Sequence, residues 1–363
     1  MRAADRITEI TTTLVRKPLQ QELHLGPFTV TERLYAVVQV HTQDGLTGSA
    51  YAQTRGAPIT EIIDSMLRPL LAGKDSAAIE ARWQDCFRST MGVGRSGMLL
   101  RALSLIDIAL WDIQAQRAQL PLYRLLGGVR DRVPVMLVAG YPNDPDDVDE
   151  VVHAALAGAQ RGHPLVKIAR AADPAVTLAT LNALAGQLPM TTQVVVDASW
   201  TWQRADQALT EMHHWPSDIV AWVEDPFPPE STAAYQALRA GSRIAVGVGD
   251  EVTDPHVYDA LVAAGGLDIL RLDVATIGGI TAAVRVLHRA EHWALPVSTH
   301  ISSEVSAHLA GAHASITSIE TFDRSGNRYD PSHELCQGGP TFADGHAELA
   351  EAPGVGWSLT TST

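Results

Sequence analysis

Seven short apolar runs in this sequence end on a charged or titratable residue, in chain order Lys167, Asp197, Glu224, Asp250 with Glu251, Asp273, His300 and Glu320. One such residue is ordinary, because a chain turns polar as it leaves a core and a helix N-cap accounts for it. Seven in succession, gathered into one small space, would repel one another strongly unless a cation sat among them. Asp197, Glu224 and Asp250 lie on three consecutive runs and supply hard oxygen ligands of the kind magnesium prefers, with waters or substrate oxygens completing its shell. Asp273 and His300 offer a second device. A carboxylate bonded to one imidazole nitrogen fixes the tautomer and raises the basicity of the other, which makes a general base. Cation, base and the flanking Lys167 together suit removal of a proton from carbon next to a carboxylate. Charge then gathers on two oxygens, and only groups already in place can stabilise it.

The elements that must bring these residues together are legible from about Val133 onward. Eight Val/Ile/Leu-rich runs, "VPVMLVAG", "PLVKIAR", "QVVVDAS", "DIVAWVEDPF", "RIAVGVGDE", "DILRLD", "PVSTH" and "SITSIET", alternate with Ala/Leu-rich helical patterns. That rhythm marks repeated βα units and a parallel sheet buried on both faces. Eight units predict a closed barrel whose polar strand ends collect at its C-terminal mouth. The preceding part reads as α+β. "RITEITTTLVRK" and "LYAVVQVHTQDGLTGSAYA" alternate as antiparallel strands do, with Asp44-Gly45 as a hairpin turn. "PITEIIDSMLRPLLAG" and "SGMLLRALSLIDIALWDIQAQRAQ" carry helical periodicity. The expected fold is therefore α/β, a (β/α)8-type, TIM-like barrel with an N-terminal α+β capping domain. The expected divisions are 1–125 for the cap, 126–335 for the barrel and 336–363 for a tail returning to the cap.

Composition narrows the class. The 363 residues, 46% of them hydrophobic, suffice for a sizeable core. A net charge of -14 argues against a general nucleic-acid binder, which needs a basic stripe to track phosphates. No apolar run approaches the length of a membrane span, and the N-terminal "MRAADRITEI" has no apolar signal region, so a soluble, cytoplasmic chain is expected. Cys86 and Cys336 have neither disulfide-framework nor zinc-site spacing and read as packing residues in a reducing compartment.

In combination these motifs resemble the enolase superfamily, and within it the mandelate racemase subgroup, over nearly the whole chain. "VVVDAS", "WVEDPF" and "VGVGDEVTD" resemble the segments carrying the three metal ligands. "LDVATIGGIT" resembles the Asp-bearing sixth strand with its paired glycines, "VSTHISSEVSAHLAGA" the His-bearing seventh, and "SIETFD" the Glu of the eighth. The resemblance implies one Mg²⁺ per subunit, bound by Asp197, Glu224 and a third ligand. Family members with an Asp-Glu pair here use the Asp, which favours Asp250, with Glu251 as the alternative. It also implies that His300 is base or acid, oriented by Asp273, that Glu320 hydrogen-bonds the substrate carboxylate, and that Lys167 helps to neutralise it. Homo-oligomers are common in the family and are expected here.

Racemase-like members carry Lys-x-Lys at the end of strand two, with the second lysine as a base facing the histidine from the opposite side. Here the stretch reads "KIAR", and Ala169 stands at the base position. The resemblance then implies a one-sided reaction: dehydration of a sugar acid (aldonate or aldarate), or ring-opening cycloisomerisation of its lactone. An epimerase or racemase with an unrecognised second base and a catalytically silent sugar-acid binding protein are the other readings. Arg170 could fold back into the site, although its parity on the strand points it away.

Weaker signals complete the set. The family's cap loops close over the substrate, and the matching stretches here place His24, Tyr51 and Arg55 as candidate contacts to hydroxyls or a distal carboxylate. Trp200 and Trp202 follow the first ligand strand and either wall the pocket or pack. "GVGRSG", Gly92 to Gly97, fits a dinucleotide fingerprint but follows a helical pattern instead of a strand, so it reads as a connection between cap helices. His213 and His214 are adjacent and read as a solvated helix end.

Overall fold

The computed structural model describes residues 5–25, 28–324 and 328–360. Eight parallel strands form the expected barrel: β4 (Arg132–Gly140), β5 (Leu165–Ala169), β6 (Gln193–Asp197), β7 (Val220–Glu224), β8 (Ala245–Val248), β9 (Ile269–Leu272), β10 (Val297–Thr299) and β11 (Ile316–Phe322). Each pairs with the next, and β11 pairs back onto β4 from Ile319↔Val135 to Phe322↔Val138, which closes the ring. Alternation along each strand sorts the side chains. Val166, Ile168, Val194 and Val196 are fully buried in the large core that also includes residues of the helical ring, such as Leu181 and Leu184. Met136, Leu165, Val195, Trp222, Ala245 and Ile269 form a separate apolar layer inside the barrel. Lys167, Asp197, Glu224 and Arg271, each two residues further along its strand, stand above that layer. The strand period thus turns seven sequence-distant polar residues into one cluster.

The cap begins as an antiparallel sheet of β1 (Ile7–Leu25), β2 (Phe28–Thr42) and β3 (Thr47–Gln53), with the β2–β3 turn at the anticipated Asp44-Gly45. Residues 19–25 and 28–30 belong to the β1–β2 ribbon, with a register shift between Pro18 and Leu23. The helix expected over "PITEIIDSMLRPLLAG" is broken into Ile59–Ile62, a π-helical Ile63–Leu67 and Arg68–Leu71. Pro69 is the physical reason. It has no N–H to donate and its ring crowds the preceding turn, and a widened turn accommodates it.

The Met98–Ala118 helix is apolar almost all round because it is buried on both sides, against the cap sheet and against the barrel helix Gly279–His292. Its two buried carboxylates are ties. Asp112 accepts from the Ser49 and Val355 amides at 3.0 Å each, and Asp107 accepts from the Thr281 amide at 2.8 Å and the Thr281 hydroxyl at 2.6 Å. Gly279 makes the second contact possible: at φ +82°, an added Cβ would lie 2.5 Å from the Asp107 side chain. Gly279→Ala is expected to destabilise the fold by about 2–3 kcal/mol, through overpacking and left-handed strain. The check is a lowered denaturant midpoint at unchanged slope.

The C-terminal stretch reaches both layers. His346–Glu348 pairs antiparallel with the start of β4, Cys336–Gly338 pairs with Trp357–Leu359, and the Trp357 ring sits 5.4 Å from that of Tyr51 in the cap. No helix among the described residues is long and apolar enough to cross a membrane.

Candidate active site at the barrel mouth

The Lys167 ammonium lies 3.1 Å from Asp197 Oδ2, 3.4 Å from Asp250 Oδ2 and 3.0 Å from Glu320 Oε2, and is paired with Glu224 Oε1. One oxygen of each of Asp197, Glu224 and Asp250 lies within 4.8 Å of the others. Their remaining oxygens are tied back to the protein. Asp197 Oδ1 accepts from the Ser199 amide (2.9 Å) and hydroxyl (3.0 Å). Glu224 Oε2 accepts from Trp222 Nε1 (3.1 Å) and is ion-paired with Arg271 Nε (2.8 Å), and Asp250 Oδ1 accepts from Arg271 Nε (3.1 Å). Three strands thus present three convergent, oriented, oxygen-only donors. This set fits a hard divalent cation, and the surplus of buried negative charge calls for one.

Charge in this layer is strongly coupled to burial. Burial works against the Lys167 ammonium, but Asp197, Glu224, Glu320 and Asp250 outweigh it and hold its pKa well above the ordinary lysine value. Burial also opposes ionisation of Asp250, yet Arg271, His300 and Lys167 keep its carboxyl below the usual carboxylate range. Glu224 is pushed up to about 8, mainly by burial and only partly offset by Arg271 and Lys167. Asp225 is fully buried behind it and accepts from the Gly249 (2.9 Å) and Asp250 (2.8 Å) amides, which fixes the turn that delivers Asp250.

Beside the carboxylates stands the Asp–His pair. His300 Nδ1 is 3.0 Å from Asp273 Oδ2, while Asp273 Oδ1 accepts from the Ala275 amide at 2.8 Å. With Nδ1–H donating to Asp273, Nε2 is left as the basic nitrogen, 3.5 Å from Asp250 Oδ2. Burial disfavours the imidazolium, but Asp250 and the bond to Asp273 outweigh it and raise the His300 pKa. Across the mouth no second base stands at the end of β5: Ala169 is opposite Asp197 in the β5–β6 register.

The remaining anticipated residues are distributed differently. Glu251 follows Asp250 at φ +61° and turns to the cap, where Arg55 donates to its Oε1 from Nε (3.0 Å) and Nη2 (2.8 Å) and Arg101 pairs with its other oxygen. Its carboxylate also lies within 4.8 Å of Asp273 and His300 ligand atoms. Arg55 is therefore at the cap–barrel seam with its charge already partnered. Two of the candidate substrate contacts have their polar groups partnered within the protein. Tyr51 donates its hydroxyl to the buried Glu304 at 2.7 Å, at the start of the helix after β10, and meets the Trp357 ring edge-on. Arg170 makes a two-pronged contact with Glu211 (2.9 and 2.7 Å) and lies over the Trp202 ring, as its strand parity dictates. Trp202 is thereby a packing residue, whereas Trp200 is 43% exposed in the turn after Asp197. His24 is placed by backbone alone, opposite Thr29, and its side chain lies outside the described residues. Gly92 to Gly97 connects two cap helices, with the Gly97 amide bonded to Thr253 at 2.8 Å.

Sequence reasoning missed Arg271, Asp225 and Arg101. Arg271 had a usable signal, since it precedes Asp273 by two and so shares its inward face. Arg101 had none, being one polar position on a long helix.

A closed parallel barrel with carboxylates on successive strand ends, an Asp–His pair beside them and an α+β cap over the mouth defines an enolase-like fold and site. The family comparison agrees: residues 7–127 match the N-terminal domain of the mandelate racemase/muconate lactonizing enzymes, and residues 150–362 match the enolase C-terminal domain-like model. The chain belongs to the mandelate racemase/muconate lactonizing enzyme family. Among its relatives, L-talarate/galactarate dehydratase of Salmonella typhimurium is 26% identical over 344 residues, covering 91% of this chain and 82% of that one. The 3,6-anhydro-alpha-L-galactonate cycloisomerase of Streptomyces coelicolor is 30% identical over 285 residues, 75% of each chain. A racemase from Streptomyces coelicolor, solved with bound magnesium, superposes with TM-score 0.89 at 26% identity over 97% of both chains.

Proposed function

We propose that this protein is a magnesium-dependent lyase that dehydrates a sugar acid, with abstraction of the proton α to the carboxylate as the first step. The observation that carries the reading is asymmetry: one oriented base, His300, stands on one side of the carboxylate cluster, and an alanine stands on the other. Asp197, Glu224 and Asp250 would hold the cation, which supplies Lewis-acid polarisation of the substrate carboxylate. His300 Nε2 takes the α-proton while Asp273 stabilises the imidazolium that forms. Lys167 meets the charge building on the substrate carboxylate oxygens, and Glu320, anchored through one oxygen to Lys167 and Arg271, would have to carry a proton on the other to donate a hydrogen bond to that group. The protonated His300 then returns its proton to the departing β-hydroxyl, so acid and base are one residue and no partner at position 169 is needed. The match to L-talarate/galactarate dehydratase over 91% of this chain and 82% of that one supports this choice.

Ring-opening cycloisomerisation uses the same half-reaction, and the 30% identity to a 3,6-anhydro-alpha-L-galactonate cycloisomerase, whose substrate ring is an ether, favours it as the second reading, with a sugar-acid lactone as the substrate proposed here. Incubation with Mg²⁺ in D₂O against aldonic and aldaric acids and their lactones, followed by NMR, decides between them. A keto-acid product is expected. A ring-opened product from a lactone selects the second reading, and deuterium uptake with inversion at the α-carbon would reveal a second base and sink both.

A further inference from the structure

Arg271 is a fully buried arginine inside the barrel, where an aliphatic side chain would pack at far lower electrostatic cost. Its donors are distributed over four other strands or strand ends. Nε donates to Asp250 Oδ1 (3.1 Å) after β8 and is ion-paired with Glu224 Oε2 (2.8 Å) on β7; Nη1 donates to Ser298 Oγ and Thr299 O on β10 (2.7 Å each); Nη2 donates to Glu320 Oε2 (2.5 Å) on β11. In all three carboxylates the oxygen facing Arg271 differs in function from its twin. Glu224 Oε1 and Asp250 Oδ2 are the atoms turned toward Lys167 and the metal-ligand cluster, and Glu320 Oε1 carries no bond to either cation.

We propose that Arg271 is the positioning residue of this site: its guanidinium fork holds back one oxygen each of Glu224, Asp250 and Glu320, and so sets which oxygens are offered to the cation and the substrate. It also supplies from β9 a second fixed positive charge, in a chain that has alanine at position 169. A point charge could neutralise these carboxylates, but only a planar fork with several directed N–H groups can orient Asp250 and Glu320 by hydrogen bonds while its charge faces Glu224. The inference rests on the proposed metal site, though not on the identity of the substrate.

The test is titration of the full-length metal-free protein with Mg²⁺ by calorimetry, for wild type, R271K and R271Q, each shown folded by circular dichroism at the titration temperature. Loss of the fork is expected to weaken Mg²⁺ binding by about 10- to 100-fold in both variants, the range typical of partners that orient metal ligands. Retained lysine charge is expected to give no rescue. Wild-type affinity in R271K would overturn the proposal, because charge alone would then suffice. Should both variants unfold, Ser298→Ala keeps every charge and removes one anchor of the fork; weaker Mg²⁺ binding supports the proposal and unchanged binding overturns it. A wild-type protein that binds no Mg²⁺ would instead remove the metal-site reading itself.

Discussion

His300→Ala is expected to lower kcat toward the far end of the about 10²- to 10⁴-fold range of general acid–base catalysis, because no second base stands at position 169 to take over. Solvent-deuterium exchange at the α-carbon should be lost in parallel, while Mg²⁺ binding persists, since His300 is outside the Asp197, Glu224 and Asp250 set. The pH dependence carries a definite sign. His300 works as a base only when neutral, and its pKa is raised because Asp250 and Asp273 outweigh burial. A bound cation offsets the Asp250 charge, so in the Mg²⁺-loaded enzyme the bond to Asp273 is the raising interaction that remains, and kcat/KM should rise as pH climbs through the His300 pKa and level off above it. Asp273→Asn removes one of the raising interactions and the anchor of Nδ1. Its inflection should move to lower pH and its plateau should fall, as expected when an imidazole loses both tautomer and orientation. Retention of exchange in His300→Ala, or a flat profile, would assign the proton to another group.

The second large effect separates two adjacent carboxylates. Asp250→Asn is expected to weaken Mg²⁺ by more than about 100-fold, beyond what outer partners contribute, and to abolish turnover. Glu251→Gln should leave Mg²⁺ affinity within about threefold of wild type, because its oxygens are committed to Arg55 and Arg101. Its cost falls on the cap–barrel seam. An under-partnered, largely buried arginine is worth about 1–3 kcal/mol, so a lower melting temperature is expected. The opposite pattern, metal binding lost in Glu251→Gln and kept in Asp250→Asn, would make Glu251 the third ligand. Neither result depends on knowing the substrate, and calorimetric titration with Mg²⁺ reads both.

The site was legible in sequence where chemistry sits at the end of a strand. A buried parallel strand is a continuous apolar run, so the residue that ends it is visible, and closure of eight such runs forces those ends together. Asp197, Glu224, Asp250, Asp273, His300 and Glu320 follow from that rule, whereas the reading of Ala169 as a vacated base position rests on the family resemblance. Strand period also anticipated that Arg170 points away from the mouth.

What escaped depends on through-space distance between residues with no common period. Tyr51 meets Glu304 across 253 positions and Arg55 meets Glu251 across 196, so their hydroxyl and guanidinium were free in the sequence and are partnered in the fold. Arg271 looked like one more charge within a strand until closure set it beneath Glu224, Asp250 and Glu320. By itself the sequence determined the barrel and the identity of the groups at its mouth, because these follow from local periodicity and from which residue ends each apolar run; that position 169 is a base position is what the family resemblance implies. Only the tertiary structure decided which oxygen of each carboxylate faces the centre, which charges are already paired and how the cap is tied down. Those are contact properties, set by packing among elements whose order along the chain does not encode their separation in space.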